Sequence, residues 1–300
     1  RSSVMRQLRR FLSGRGVLEI DVPLIGTTSV TDPHLSSFEV NSEYFEGFLQ
    51  TSPEYFMKRL LASGSGDIFC LGKAFRAEEK GAAHNPEFMM LEWYRINWNE
   101  HQLMEEVVDL VSVFMPSTKI LKISYGELFE ELLGINPHNV KLSVLRKRAE
   151  EANFESWPRD SRSGYLDMLF ETFVRPNMPS GLVILFDYPV CQKALAQLHH
   201  DLNGQKVSRR FEVFLNNSEL ANGYFELNNF SEHQIRFNED RCERRAMGKM
   251  LPEDDMLLLD AVKSGLPDCA GVALGVDRLL MQLLGASGID EIMPFSWARC

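Results

Sequence analysis

Phe69-Cys70-Leu71-Gly72-Lys73-Ala74-Phe75-Arg76-Ala77-Glu78 and His84-Asn85-Pro86-Glu87-Phe88-Met89-Met90-Leu91-Glu92-Trp93-Tyr94-Arg95 are two alternating apolar runs joined by a polar, Gly-containing stretch. The pattern predicts a long antiparallel hairpin with strands at 69–76 and 87–95. Side chains alternate across a strand, so Arg76 and Glu78 are expected on one face of the first strand, and Phe88, Met90, Glu92 and Tyr94 on one face of the second. If those faces coincide, one surface offers a guanidinium for a phosphate, a ring to stack on a base, and carboxylates to bind an amine. A solvated hairpin with ordinary charge pairs is the alternative, but Glu92 lies in an aromatic segment and needs a partner if buried.

Towards the N-terminus, Met5, Leu8, Phe11 and Leu12 fall at helical spacing with Arg6, Arg9 and Arg10 opposite, and Gly14 and Gly16 end the helix, which predicts 2–13 as amphipathic. A short strand is expected at 17–20, and Thr51-Ser52-Pro53-Glu54 starts a helix over 53–63 with Pro in its first turn. Beyond the hairpin, helices are expected at 100–115, 141–153 and 164–175, strands at 182–187, 210–215 and 219–227, and helices at 230–247 and 254–264. A Gly-rich strand leads into a helix over 269–284. Hairpins interleaved with helices, without regular strand–helix–strand alternation, predict an α+β fold with a mainly antiparallel sheet in one catalytic domain spanning 1–300.

A second hairpin carries acidic chemistry: Arg210-Phe211-Glu212-Val213-Phe214-Leu215-Asn216-Asn217-Ser218-Glu219-Leu220-Ala221-Asn222-Gly223-Tyr224-Phe225-Glu226. A two-residue turn at Asn216-Asn217 pairs Phe214 with Glu219 and leaves Glu212 and Glu219 as diagonal neighbours. Adjacent carboxylates repel, and a hard cation such as Mg²⁺, shared with phosphate oxygens, relieves the repulsion. Asn222, Tyr224 and Glu226 have the opposite parity and reach the same face only if the strand bulges, which we expect near Gly223. An exposed acidic hairpin without function is the competing reading. In Gly271-Val272-Ala273-Leu274-Gly275-Val276-Asp277-Arg278-Leu279 the glycines permit close backbone approach, and a helix starting near Val276 aims N–H groups and Arg278 at an anion. The G-x-G-x-x-G dinucleotide spacing is missing.

Composition bounds the rest. The chain has 300 residues, 44% hydrophobic and 25% charged, which suits a globular protein with a sizeable core. The apolar runs at 103–114 and 270–284 fall short of the roughly 20 residues of a membrane span. Five scattered cysteines without a C-x-x-C pair fit a reducing compartment, and no charged-then-apolar leader precedes the first helix, so a cytoplasmic protein is expected. A net charge of −10 argues against a protein that coats nucleic acid.

Together and in this order, the segments resemble the three motifs of class II aminoacyl-tRNA synthetases, the lysyl-tRNA synthetase subgroup in particular. Phe11, Gly16, Glu19 and Pro23 look like motif 1, the first hairpin motif 2, and Gly271 to Leu279 motif 3. Leu91-Glu92-Trp93-Tyr94-Arg95 and Pro267 to Gly275 are closer still to the truncated lysyl-tRNA synthetase paralogues that attach β-lysine to elongation factor P. Motif 1 begins almost at residue 1, so no N-terminal anticodon-binding domain is expected.

The resemblance implies ATP and Mg²⁺ as cofactors and assigns roles. Arg76 holds the α-phosphate, Glu78 the adenine amino group, Phe88 stacks on adenine, and Arg278 meets the γ-phosphate. Asn85, Glu219, Leu220 and Gly275 are further nucleotide contacts, and Glu212 and Glu219 bind the metal. Ser52, Glu54, Glu92, Tyr94, Asn222, Glu226 and Ala273 form the amino-acid pocket. Ala77, Met89 and Ala83 stand where the family usually has Asn, Thr and Arg, which unsettles the outer nucleotide contacts, and Ala273 stands where lysyl-tRNA synthetases usually have Gly. The implied activity is activation of lysine or (R)-β-lysine as an adenylate, transfer to a lysine of elongation factor P rather than to tRNA, and a homodimer through motif 1. A lysyl-tRNA synthetase core and a silent regulatory paralogue are the other readings. The second is expected to lose phosphate or metal residues, and Arg76, Glu212, Glu219 and Arg278 are all present.

Overall fold

The computed structural model describes residues 1–152 and 161–300, in two compact units: Arg1–Met115 with Phe225–Cys300, and Pro116–Tyr224. Each is α+β with a mainly antiparallel sheet flanked by helices, as the sequence patterning predicts.

In the first unit the predicted hairpin forms from Ile68–Phe75 and Glu87–Ile96, with Cys70 opposite Glu92. Leu18–Glu19 joins one side in parallel and Cys269–Gly275 the other antiparallel, placing Gly271 opposite Tyr94 and Ala273 opposite Glu92. The strand Glu87–Ile96 is therefore central, which is why Met90, Leu91, Trp93 and Tyr94 are buried. The helix Ser2–Ser13 buries Leu8 and Leu12. The helix Glu100–Phe114 starts at a capping box, Asn99 accepting from the Gln102 N–H and Gln102 accepting from the Asn99 N–H, and buries Leu103, Val107 and Leu110. Each such side chain removed from water contributes about 1.5–3 kcal/mol, against about 1 kcal/mol for a cap, so packing decides this helix. A small antiparallel sheet of Ile25–Gly26, Glu46–Leu49 and Glu39–Asn41 was not expected from sequence.

Two elements of this unit depart from their expected bounds. Arg76 and Glu78 do not lie on the first strand, which ends at Phe75; they sit in the turn that follows, where the Arg76 N–H donates to the Pro86 carbonyl. The helix expected at 254–264 runs Met256–Gly265, because the Asp255 side chain accepts from the Leu258 N–H at 2.9 Å and fixes the cap there.

In the second unit Ser218–Phe225, Lys206–Leu215 and Leu182–Pro189 pair antiparallel in turn, with Ile120–Ser124 parallel to the last and Leu198–His200 added to Lys206–Leu215. Asn216 and Asn217 both adopt positive φ, 48° and 64°, as the expected two-residue turn requires. The register is Phe214 to Glu219, then Glu212 to Asn222, with the bulge between Val213 and Phe214. The extra residue is thus Leu220 and not one near Gly223. The helix expected at 164–175 is α only over Arg162–Leu169, then widens into a π turn at Phe170–Val174 and tightens at Arg175–Asn177. Pro176 has no N–H to continue an α-helix, and Arg175 before it nonetheless keeps α geometry at φ −55° and ψ −45°. Tyr125, Phe129 and Phe170 stack at the centre of this unit's core. The helix expected at 141–153 is observed as Leu142–Glu151, and residue 153 lies outside the described residues. Among the described residues no helix is long and apolar enough to cross a membrane.

Candidate active site

Several residues expected to bind an amino acid come from one helix turn and two neighbouring strands of the first unit. Glu54 opens the helix Glu54–Ala62, with the Ser52 hydroxyl accepting from its N–H at 3.3 Å. Glu92 and Tyr94 share a strand face, and the Tyr94 hydroxyl donates to Glu92 Oε1 at 2.7 Å. Glu226 is 1% exposed and Glu92 3%. Glu92 and Glu226 are thus held away from bulk water, with Glu54 beside them at 21% exposure, and burying such carboxylates is costly unless cations join them. One cation is supplied by the protein: Lys58, fully buried, sets its Nζ 2.6 Å from Glu54 and 2.7 Å from Glu226. Glu92 keeps a second buried oxygen, Oε2, without a hydrogen-bond partner. Burial, reinforced by the charge of Glu54, pushes the Glu92 carboxyl up to about 8. Burial likewise lifts Glu226 to about 7 against the pull of Lys58. Burial opposes the charge on Lys58, but Glu226 and Glu54 outweigh it and hold the ammonium well above the usual lysine range.

Gly271 makes this packing possible. A Cβ there would lie 2.3 Å from the Tyr94 ring and 2.6 Å from a Glu226 oxygen, so no side chain fits. Ala273, two residues on and opposite Glu92, is half-buried.

Among the residues of the same unit expected to meet a nucleotide, the Arg76 guanidinium lies 5.1 Å from the centre of the Phe88 ring and donates to Glu79 at 2.8 Å, while its buried Nε has no partner. Glu78 is exposed and held by Lys249 at 2.8 Å, a hydrogen bond that keeps its carboxyl below the usual range. Asn85 is occupied at both ends, donating to the Glu87 carbonyl and accepting from the Trp297 N–H, so it braces the turn before the second strand. Gly275 precedes the helix Val276–Leu284, whose first turn carries Arg278, 2.8 Å from the His84 ring. Asp277 accepts from the Met89 N–H at 2.6 Å, tying that helix to the central strand.

In the second unit the bulge brings Glu212, Glu219 and Asn222 to one face, because Glu212 now faces Asn222 directly. Asn222 donates to the Tyr224 hydroxyl at 3.1 Å and keeps a buried Oδ1 without a partner. Burial raises the Glu212 carboxyl, with Arg210 opposing and Glu219 adding to the rise. Arg210, two residues along the strand, pairs with Glu212. Leu220, the bulged residue, is buried, so only its backbone offers polar groups. Among the described residues no group of three or more His, Cys, Asp or Glu could hold a metal. Two carboxylates suit Mg²⁺ that completes its shell with phosphate and water oxygens rather than a protein cage.

The sequence reading named Gly271 among the glycines that permit close backbone approach, but gave no role to Lys58, Asp277 or Arg210. Glu54 and Lys58 are a visible i,i+4 pair, but that spacing on a helix ordinarily marks a solvated ion pair. Its burial depends on the strand end at Glu226, far along the chain.

The model of the class II tRNA synthetases of the D, K and N group matches residues 1–299. The chain belongs to the class II tRNA synthetase family. This class II synthetase chain is 42% identical to a protein of Histophilus somni (strain 2336) named elongation factor P–(R)-β-lysine ligase, over 99% of its own length and 93% of that protein's. Proteins of the same name from Pasteurella multocida (strain Pm70) and Vibrio cholerae (strain ATCC 39315) are each 40% identical, over 98% and 100% of this chain and 93% and 94% of theirs. Family membership implies ATP use, with Mg²⁺ typical of the class II synthetases.

Proposed function

We propose that the chain is an ATP-dependent ligase that activates (R)-β-lysine, or lysine, as an aminoacyl-adenylate and transfers it to a lysine side chain of elongation factor P. In this reading residues 1–300 act as one cytoplasmic catalytic domain in a twofold dimer. The names of the full-length relatives support the acceptor and the amino acid. The observation that carries the reading is the buried Glu92 carboxylate, half-satisfied by Tyr94 and grouped with Glu54 and Glu226. Such a cluster calls for ammonium groups, and a lysine-like molecule brings two.

Ser52, Glu54, Glu92, Tyr94, Asn222, Glu226 and Ala273 bind the amino acid in this account, the carboxylates taking its amines. Arg76 directs its unpartnered Nε at the α-phosphate, Arg278 meets the γ-phosphate, Phe88 stacks on adenine and Glu78 exchanges Lys249 for the adenine amino group. Asn85, Glu219, Leu220 and Gly275 line the nucleotide. Glu212 and Glu219 hold Mg²⁺, which when bound neutralises polyphosphate charge. The amino-acid carboxylate attacks the α-phosphorus in line and pyrophosphate leaves, so the protein needs no nucleophile and works by positioning and charge stabilisation. The acceptor ε-amine then attacks the adenylate carbonyl, AMP departs, the nitrogen loses a proton and an amide forms.

The test is exchange of labelled pyrophosphate into ATP. Exchange dependent on a lysine isomer and Mg²⁺ is expected, and it should be lost in a folded Arg76→Ala variant. Its absence with every lysine isomer in folded wild-type protein overturns the reading.

A further inference from the structure

Lys58 sits between two carboxylates of the proposed amino-acid site. Its Nζ makes two short contacts, to Glu54 on its own helix and to Glu226 beyond the hairpin, and its side chain is fully buried. The groups that face this cluster are Glu92 and Tyr94 on the central strand, Cys70 and Cys269 on its neighbours, and His233 and Arg236 on the helix Phe230–Ala246. Cys70 and Cys269 are buried thiols whose ionisation burial suppresses, and the His233 ring, facing the Leu227 carbonyl at 2.7 Å, is held down to about 4 by burial and the Lys58 charge. Arg236 is paired with Glu232 at 3.0 Å. Lys58 is in contact with both Glu54 and Glu226.

With all three carboxylates ionised, Glu54, Glu92 and Glu226 carry three negative charges and Lys58 one positive, leaving two, the number of ammonium groups on a lysine-like amino acid. Without Lys58 the buried Glu226 would be driven further towards its neutral acid, and when ionised it would meet the charge of Glu54 with nothing between them. We propose that Lys58 is a positioning residue of the amino-acid site, an internal ammonium that clamps Glu54 to Glu226, holds both carboxylates aimed, and offsets one negative charge of the cluster ahead of a substrate with two amines. The inference rests on the proposed activation of a lysine-like amino acid and adds to it the residue that prepares the pocket.

Lys58→Met keeps the apolar stem and removes the charge. Pyrophosphate exchange is followed against amino-acid concentration, ATP concentration and pH, with thermal melting as the folding control. The expected result is a KM for the amino acid raised about tenfold or more at neutral pH, the consequence of protonating a binding carboxylate one unit too high. The KM for ATP should stay near wild type. The acid limb of kcat/KM for the amino acid should move up by about one to three pH units, the span over which an adjacent opposite charge shifts a carboxylate. A purely structural lysine would lower the melting temperature and active fraction without moving that limb, and an unmoved limb overturns the proposal.

Removing one member of a buried pair can unfold a protein. If Lys58→Met does not melt cooperatively, Lys58→Met/Glu226→Gln is compared with Glu226→Gln alone. A further rise in amino-acid KM in the double variant supports the clamp, because Glu54 has then lost its partner too, whereas identical KM and pH profiles overturn it. Absence of exchange in wild type, by contrast, removes the functional reading and this role with it.

Discussion

Within the amino-acid end, the tightest spacing is at Gly271, where a methyl group would overlap both the Tyr94 ring and Glu226. Overpacking of this kind costs about 1–3 kcal/mol, so Gly271→Ala should lower the melting temperature and raise the KM for the amino acid far more than that for ATP. Steady-state exchange kinetics on the purified variant check it, and an amino-acid KM like wild type would show that Tyr94 and Glu226 are not held by that glycine. Glu92 gives a second prediction. With its carboxyl at about 8, it is mostly protonated at pH 7 in the empty pocket, and a substrate ammonium beside Oε2 favours the anion. Binding should therefore release protons at pH 7, and kcat/KM for the amino acid should rise with pH through 7 to 8. Calorimetry in buffers of different ionisation enthalpy measures the release; proton uptake would contradict it. The same shift bears on stability: the folded carboxyl is raised above its unfolded value, so this group's contribution falls as pH rises from about 4 to about 8. Ala273 faces the same carboxylate across the sheet. One carbon in a packed site is worth about 1–3 kcal/mol of discrimination, and Ala273→Gly should shift the ratio of kcat/KM towards α-lysine over β-lysine. An unchanged ratio would leave selectivity to other residues.

At the scale of single elements, the acidic hairpin separates what the sequence discloses from what it hides. Asn216-Asn217 announces a two-residue turn, and that turn fixes Phe214 against Glu219. It cannot announce where a bulge falls, because Leu220 is chemically no different from any apolar strand residue; the parity argument required a bulge but put it near Gly223. The helix at Leu142–Glu151 and the hairpin at Ile68–Phe75 and Glu87–Ile96 were legible because strong periodicity and turn residues agree locally. The strands Ile25–Gly26, Glu39–Asn41 and Glu46–Leu49 were not, being two to four residues long and so too short for alternation to show. Lys58 marks the same limit for the site: its spacing from Glu54 is local, but its burial comes from Glu226, a contact across the chain. On the hairpin itself, Glu212→Gln and Glu219→Gln should each weaken Mg²⁺-dependent ATP use, since a neutral amide cannot balance the cation. A Mg²⁺ titration of the exchange rate checks this, and unchanged dependence in both variants would return the hairpin to an acidic surface without a metal role.

Across the whole molecule, the account joins a family membership to a pocket chemistry. The net charge of −10 disfavours a tRNA acceptor without selecting another, and the choice of elongation factor P rests on the relatives' names. The acceptor is thus where the account is most exposed. Labelled (R)-β-lysine, ATP and Mg²⁺ offered to the protein with elongation factor P and tRNA in one reaction should place the label on elongation factor P as a stable amide and leave tRNA essentially unlabelled. Efficient charging of tRNA, with elongation factor P unmodified, would contradict it.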